Sequence, residues 1–298
     1  MVALYESPPA PIAQSPGRVA VRRALRHGSF WVGGAILVLV ILAAVFAPLL
    51  TPYDPALQDL AHRFVPPVWT EKGSWDHILG TDNLGRDYLA RLLFGARISL
   101  LIGFLTVVIS GTIGTVLGIC AGYWGGWADL VINFVITIRL TMPVVLVALV
   151  VVALAGSSLT ILICVIGLLL WDRFAIVVRS ATQQLARREY ITAAAAIGSS
   201  TPRILLKELL PNITGPLIVV ASIELAHAVL LEASFSFLGL GVQPPLVSWG
   251  LMVAEAKSQL FFRPWMLAVP GAALVLMIFA INLLGDALRD VTTPEGKA

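Results

Sequence analysis

"EYITAAAAIGSSTPRILLKELLPN", residues 189–212, interrupts a chain that otherwise reads as lipid-soluble helix. Glu189–Ile197 is built of good helix formers, with Glu189 near its start, where an acid suits the helix dipole. Gly198 is a natural C-terminal stop. Thr201 then caps a second helix with Pro202 at its first position, Arg203–Leu210 follows, and Pro211 ends it. The pattern predicts helix, glycine turn, helix. Ala193 to Ala196 leave a smooth surface on which another backbone can pack closely. An ordinary helical loop and a docking knob for a partner fit that surface equally well.

The flanks place the pair. Hydrophobic residues make up 58% of the chain and charged ones 12%, against roughly 45–50% and 25% in soluble domains. The mean hydropathy is +0.90. This is a membrane composition. Crossing the hydrocarbon takes about 20 apolar residues, and six stretches qualify: Trp31–Leu50, Ile98–Gly122, Leu130–Ala155, Leu159–Val178, Ile213–Leu238 and Trp265–Leu284. Gly156-Ser157-Ser158 makes a tight turn between the third and fourth. Residues 1–17, rich in Pro, Ala and Ser, read as a disordered tail. The Arg22-Arg23 pair faintly suggests a twin-arginine signal. The run after it exceeds a signal core of about 7–15 residues, and no clear small-x-small site follows, so it reads as an uncleaved span.

The net charge is +3, but the basic residues form no single patch that would suit nucleic acid. With the N-terminus inside, cations on inner segments outnumber those on outer ones eleven to seven, the bias expected of cytoplasmic loops. Four of them, Arg18, Arg22, Arg23 and Arg26, precede the first span. Six spans then leave both termini in the cytoplasm, with Thr51–Ala96 outside and 189–212 inside. The later half of that outer loop is amphipathic and reads as an interfacial helix with Arg86, Arg91 and Arg97 reaching headgroups. Cys120 and Cys164 sit in apolar stretches and suit neither a disulfide framework nor a metal site.

Ionisable residues at membrane depth are costly and usually face a bundle interior or a water-filled path. The candidates are Arg139, Asp172 with Arg173, Glu224, His227 and Glu232. Asp172 and Arg173 read as a mutually satisfied pair or as the flanks of a kinked end. Glu224 and His227 share a helix face, and with Glu232 two turns on, that face is a candidate pathway lining; packing is the equal alternative. Acidic and neutral-to-cationic groups would suit a peptide's ammonium and carboxylate. Arg139 lies four residues before Pro143, where a kink is expected.

The opening stretch resembles the EAA loop of ATP-binding-cassette importer permeases: Thr192-Ala193-Ala194, Gly198 and Leu210-Pro211 occupy the places of that motif. Thr192 stands where the motif usually has Glu, which leaves open a salt bridge expected in relatives. Glu189 cannot replace it, being nearly a full turn away. "LGTDNLGRDYLARLLFGARISL", "LLEASFSFLGLGVQPPLVSWGLM" and "NLLGDALRDVTTP" resemble signatures of the C-type permease subunit of dipeptide and oligopeptide importers, with nickel permeases as cousins. With the EAA loop they run in order over residues 79–294. Span three departs from such relatives, with Phe134 and Thr137 where an Arg and an Asp are often seen.

The resemblance implies an all-α polytopic membrane protein with the type I importer permease fold, in a bacterial inner membrane. It implies a B-type permease partner, two cytoplasmic ATPases and an extracytoplasmic substrate-binding protein. No Walker sequence occurs here, so ATP and Mg fall to the ATPases, and this chain carries no cofactor, metal or catalysis. Under this reading residues 1–30 and 289–298 are cytoplasmic tails, 31–50 the first span, 51–96 the outer loop and 97–288 the core. Loop 187–212 couples to the ATPase through Glu189, Tyr190, Thr192, Ala193, Ala194, Ile197 and Gly198. The pathway residues are Arg139, Glu224, His227 and Glu232. Nickel, haem or another solute on the same scaffold is the nearer rival. A secondary transporter or channel working without ATP is the rival of another class, though no internal repeat supports it, and an assembly subunit is the weakest.

Overall fold

A computed structural model describes residues 27–292. The N-terminal tail to residue 26, with the four arginines before the first span, and residues 293–298 lie outside that range. Ten helices carry the architecture: α1 (Gly28–Val45), α2 (Tyr88–Trp124), α3 (Gly126–Thr141), α4 (Val144–Ala155), α5 (Leu159–Leu169), α6 (Trp171–Ala186), α7 (Glu189–Ala196), α8 (Leu210–Phe237), α9 (Trp249–Ala256) and α10 (Trp265–Thr292). Five continuous or nearly continuous helical runs are long and apolar enough to cross a membrane, or six if α3 and α4 count as one. Those two meet at an angle of 84° across Met142-Pro143. The bend stands where Pro143 was expected to kink the third span, since proline cannot donate to the helical ladder and crowds the preceding turn.

Small residues set the helix spacing. In α2, Gly114, Gly118 and Gly122 recur every fourth residue and form one stripe against α6. A Cβ on Gly114 would stand 2.4 Å from the Phe174 Cβ, one on Gly118 2.8 Å from the Ala175 carbonyl, and one on Gly122 2.6 Å from the Thr182 Cβ. Such distances let backbones approach closely, which is how helices gain packing energy where water drives nothing. Gly33 does the same for α1 on α10, a Cβ there meeting the Ala280 oxygen at 2.7 Å. The stripe on α2 matters most, because α6 carries Asp172 and Arg173.

At the end of the bundle away from α7, the sequence reading needs correction. The stretch 79–97 does not form a separate interfacial helix. Residues 79–87 fold as a turn around Asp82, and α2 starts at Tyr88 and runs unbroken into its span. The Asp87 side chain caps that start, accepting from the Ala90 N–H at 2.7 Å. Asp82 accepts from the backbone N–H groups of Leu84 and Arg86 at 2.8 and 3.0 Å. It pairs with Arg86 at 2.6 Å and with Arg91, while Glu255, the last residue but one of α9, meets Arg91 at 2.7 Å and Arg86 at 3.2 Å. Arg86 and Arg91 therefore face inward, to carboxylates, and do not reach out to headgroups. Burial pushes the Asp82 carboxyl up, but Arg91 and Arg86 outweigh it and hold it below the usual carboxylate range. Arg97 donates instead to the last carbonyls of α1, at Ala44 and, at 2.7 Å, Val45.

A second correction falls within the opening stretch. Pro211 does not end a helix. Thr201–Arg203 leads into a π-helical turn, Ile204–Leu209, which passes directly into α8. The wider turn bonds the Leu210 N–H to the Leu205 carbonyl, five residues back. That is the geometry by which a helix absorbs an extra residue or a missing donor without breaking. The Asn212 side chain donates to the Glu208 carbonyl at 2.6 Å. Ser200, one residue before Thr201, occupies the cap position.

Candidate functional site: a polar cavity at two helix breaks and a docking helix

Two helix interruptions come together beside the polar groups of α6 and α8. One is the α3–α4 bend. The other is Leu170, where α5 gives way to α6 at φ −107°, ψ 10°. Arg139, near the end of α3, is buried and donates through Nη2 to the Leu169 carbonyl at the break. The same Nη2 lies 3.7 Å from the Asp172 carboxylate. Arg139 thus neither snorkels to an interface nor stands alone.

Asp172 and Arg173 are not each other's partners. Successive residues on a helix do not face one another, so they flank the break and serve different neighbours. Arg173 reaches α8, with Nη1 3.4 Å from Glu224 Oε1 and 3.3 Å from His227 Nδ1. Glu224 and His227 do share a face, at 3.3 Å. Two sets of contacts, Arg139–Asp172 and Arg173–Glu224–His227, meet at a cavity of about 420 Å³, which Arg139, Asp172, Arg173 and His227 line together with apolar side chains.

Burial grades the members. The Glu224 side chain is 0% exposed and that of Arg173 55%. Glu224 Oε2 and Arg139 Nε have no partner among the described residues. Glu232 does not join them. It is fully buried, and its Oε1 accepts from the Ser236 and Ser248 hydroxyls at 2.7 Å each. Gly250 packs so close that a Cβ there would stand 2.9 Å from Glu232 Oε2. Eight residues along a helix of 3.6 per turn leave Glu232 about 80° off the Glu224 face, so it fastens α9 to α8 and takes no part in lining the cavity. Asp129 and Arg179 were not singled out as partners in the sequence. They join α3 to α6, with Nη2 2.7 Å from Oδ2. Asp129 stands in the GGWAD segment, but nothing marks an arginine fifty positions later as its partner.

At the other feature, α7 stands at the end of the bundle on a single apolar foot. Ile191 is 4% exposed and packs with Ile204 and Leu209 and against Tyr123 and Leu185. Ala194 is half-buried on the same side. Glu189, Tyr190, Thr192, Ala193, Ile197 and Gly198 are exposed, Ile197 at 84%. The helix closes in a Schellman turn, with the Gly198 N–H bonding the Ala195 carbonyl and the Ser199 N–H the Ala194 carbonyl, both at 3.0 Å. Gly198 has φ +86°, which only glycine adopts without cost. Thr192 donates its hydroxyl to the Glu189 carbonyl at 2.9 Å, so the position that departs from the motif is satisfied within α7. Of the sequence-predicted coupling residues, only Ala194 turns toward the bundle.

Comparison with known proteins agrees with this layout. Residues 114–295 match the model for the binding-protein-dependent transport system inner membrane component, and residues 15–67 that for the N-terminal TM domain of oligopeptide transport permease C. The chain is 39% identical to the di/tripeptide transport system permease protein DppC of Pseudomonas aeruginosa, over 91% of its own length and 90% of that protein's. It is 37% identical to the dipeptide transport system permease protein DppC of Alkalihalophilus pseudofirmus, over 96% and 92%. It is 36% identical to the glutathione transport system permease protein GsiD of Pectobacterium atrosepticum, over 96% and 93%. In fold it is similar to a chain of the MetNI methionine ABC transporter in inward-facing conformations, in two crystal forms, with TM-scores of 0.53 and 0.55 at 18% and 20% identity, over 68% of this chain and 96% of that one. With its all-helical bundle, exposed α7 and match over most of its length, the chain belongs to the family of binding-protein-dependent transport system inner membrane components, the multi-pass permease subunits of ABC importers.

Proposed function

We propose that this chain is one permease subunit of an ATP-driven importer of short peptides, and that α7 is where it receives the force of ATP hydrolysis. The observation that carries the coupling role is α7 itself: a helix outside every span, anchored by Ile191 with Ala194 beside it and presenting Tyr190, Ala193 and Ile197 outward. A soluble partner with a groove would bury those side chains, and the small alanines would let its backbone close in. The partners are a B-type permease, two cytoplasmic ATPase domains that bind ATP and Mg, and an extracytoplasmic binding protein. The chain lies N-in and C-in, with α3 and α4 as one broken span, 51–96 outside and 187–212 inside. Peptide as cargo is supported by the names of the related permeases.

Arg139, Glu224 and His227, with Asp172 and Arg173, belong to the pathway side. Arg173 lies about 20 Å from either end of the run Leu159–Ala186 at 1.5 Å per residue. A half-exposed guanidinium at that depth is costly against lipid, so its face meets water or protein. The test is peptide-stimulated ATP hydrolysis by the reconstituted complex carrying Ala193→Arg. The variant should insert and pair with the second permease yet lose ATPase attachment or stimulation. Full stimulation would leave α7 an ordinary surface helix.

A further inference from the structure

Arg139, Asp172 and Arg173 line the polar cavity and Glu224 stands behind its wall; three of these four charged groups are spent inside the protein. Arg139 is bound to the Leu169 carbonyl and faces Asp172, with both side chains under 10% exposed. Glu224 is fully enclosed. Arg173 alone is open to the cavity it lines, and it is tethered through one nitrogen: Nη1 meets Glu224 and His227, while Nε and Nη2 make no hydrogen bond within the described residues. The fork of an arginine matches a carboxylate with two parallel N–H donors. Its neighbours hold the head in place, so less ordering is left to do on binding. Leu140, Met142, Val145, Leu170 and Leu230 supply the rest of the wall. A space of about 420 Å³ with largely apolar walls and a few placed polar groups is ordinary for a small-molecule site. Apolar walls accept many side chains, whereas a fixed fork reads the terminal carboxylate, which every free peptide carries.

We propose that Arg173 receives the C-terminal carboxylate of the transported peptide as it crosses between the helix breaks, with Glu224 and His227 as positioning residues that hold the guanidinium. This rests on the peptide reading above. The same fork could instead meet a carboxylate on the neighbouring permease subunit, and the experiment separates the two.

The complete complex, with both permeases, the ATPases and binding protein, is reconstituted with wild-type chain, Arg173→Gln or Arg173→Lys. Uptake and stimulated hydrolysis are compared for trialanine and its C-terminal amide, each at saturating loaded binding protein, with binding-protein affinities measured separately. Wild type should prefer the free acid. Arg173→Gln should lower trialanine transport about ten- to hundredfold, the worth of a charge-assisted hydrogen bond, and erase the preference while the complex stays assembled. Arg173→Lys, which keeps the charge and loses the fork, should fall between. An acid-to-amide ratio unchanged by Arg173→Gln overturns the inference and leaves the peptide reading standing. So does disassembly of the Arg173→Gln complex, which would assign Arg173 to a subunit contact. A wild-type complex stimulated by neither peptide sinks the peptide reading and this inference with it.

Discussion

Arg139 of α3 donates to the carbonyl of Leu169, the last residue of α5, so that one side chain fastens two interrupted spans at their breaks. The carbonyl there has lost its helical partner, and a guanidinium supplies the donor. Asp172, one turn on, balances the charge. Removing Arg139 strands both acceptors. Arg139→Met should therefore lower the thermal stability of the purified complex by about 3 kcal/mol, the cost of leaving a buried ion unpaired. Arg139→Met with Asp172→Leu should recover most of that loss. A double variant no more stable than the single one would show that the pair does not hold the bend.

The turn after α7 gives a graded test. At φ +86° Gly198 has open space for a Cβ, nothing lying within 4 Å, so any penalty is conformational. Asparagine tolerates the left-handed region and valine does not. ATPase attachment should fall in the order glycine, asparagine, valine, read by co-purification of the ATPase with each variant. Equal loss from both substitutions would point to a lost contact in place of strain.

Asp82 makes the far end of the bundle sensitive to acid. Its folded-state carboxyl titrates below its unfolded value because Arg91 and Arg86 overcome the burial penalty. Its contribution is therefore present above about pH 4 and lost as pH falls through the lowered range. Asp82→Asn should destabilise the complex by about 3 kcal/mol at pH 7, and the gap to wild type should narrow steadily below pH 4. A gap independent of pH would assign the effect to packing.

The glycine stripe on α2 predicts that separation of the helices disturbs the cavity. Gly118→Val places atoms where the Ala175 carbonyl and the Val178 side chain already stand. Overpacking of this kind costs about 1–3 kcal/mol, and it pushes α6 away from α2 and with it Arg173. Transport should fall more than assembly does, measured by uptake normalised to complex recovered.

Single cysteines at Thr70 and Ser199, in a background without Cys120 and Cys164, should label from opposite sides of the membrane with an impermeant reagent. Labelling of both from outside would overturn the N-in arrangement.

The five continuous spans, the Pro143 bend, the helix–glycine–helix of 189–203 and the Glu224–His227 pair were legible in the sequence, since each depends on residues within a turn or two of one another. What was not legible depends on distant partners. Arg86 and Arg91 look like headgroup ligands until Glu255, more than 160 positions on, is brought beside them. Asp172 and Arg173 look like a pair until Arg139 and Glu224 take one each. Glu232 looks like pathway until the serine of the α9 cap is found bonded to it. Pro211 misled for a different reason: composition shows that a donor is missing but not that the preceding turn will widen to accommodate it.

That widened turn, Ile204–Leu209, sits between α7 and the helix that bears Glu224 and His227. A π turn carries one residue more than an α turn, so it is wound-in slack. Were it to tighten into α geometry, α8 would rotate by about 100° and advance about 1.5 Å relative to α7, with no hydrogen-bonded break along the way. A push at one end could then arrive at the other as a twist.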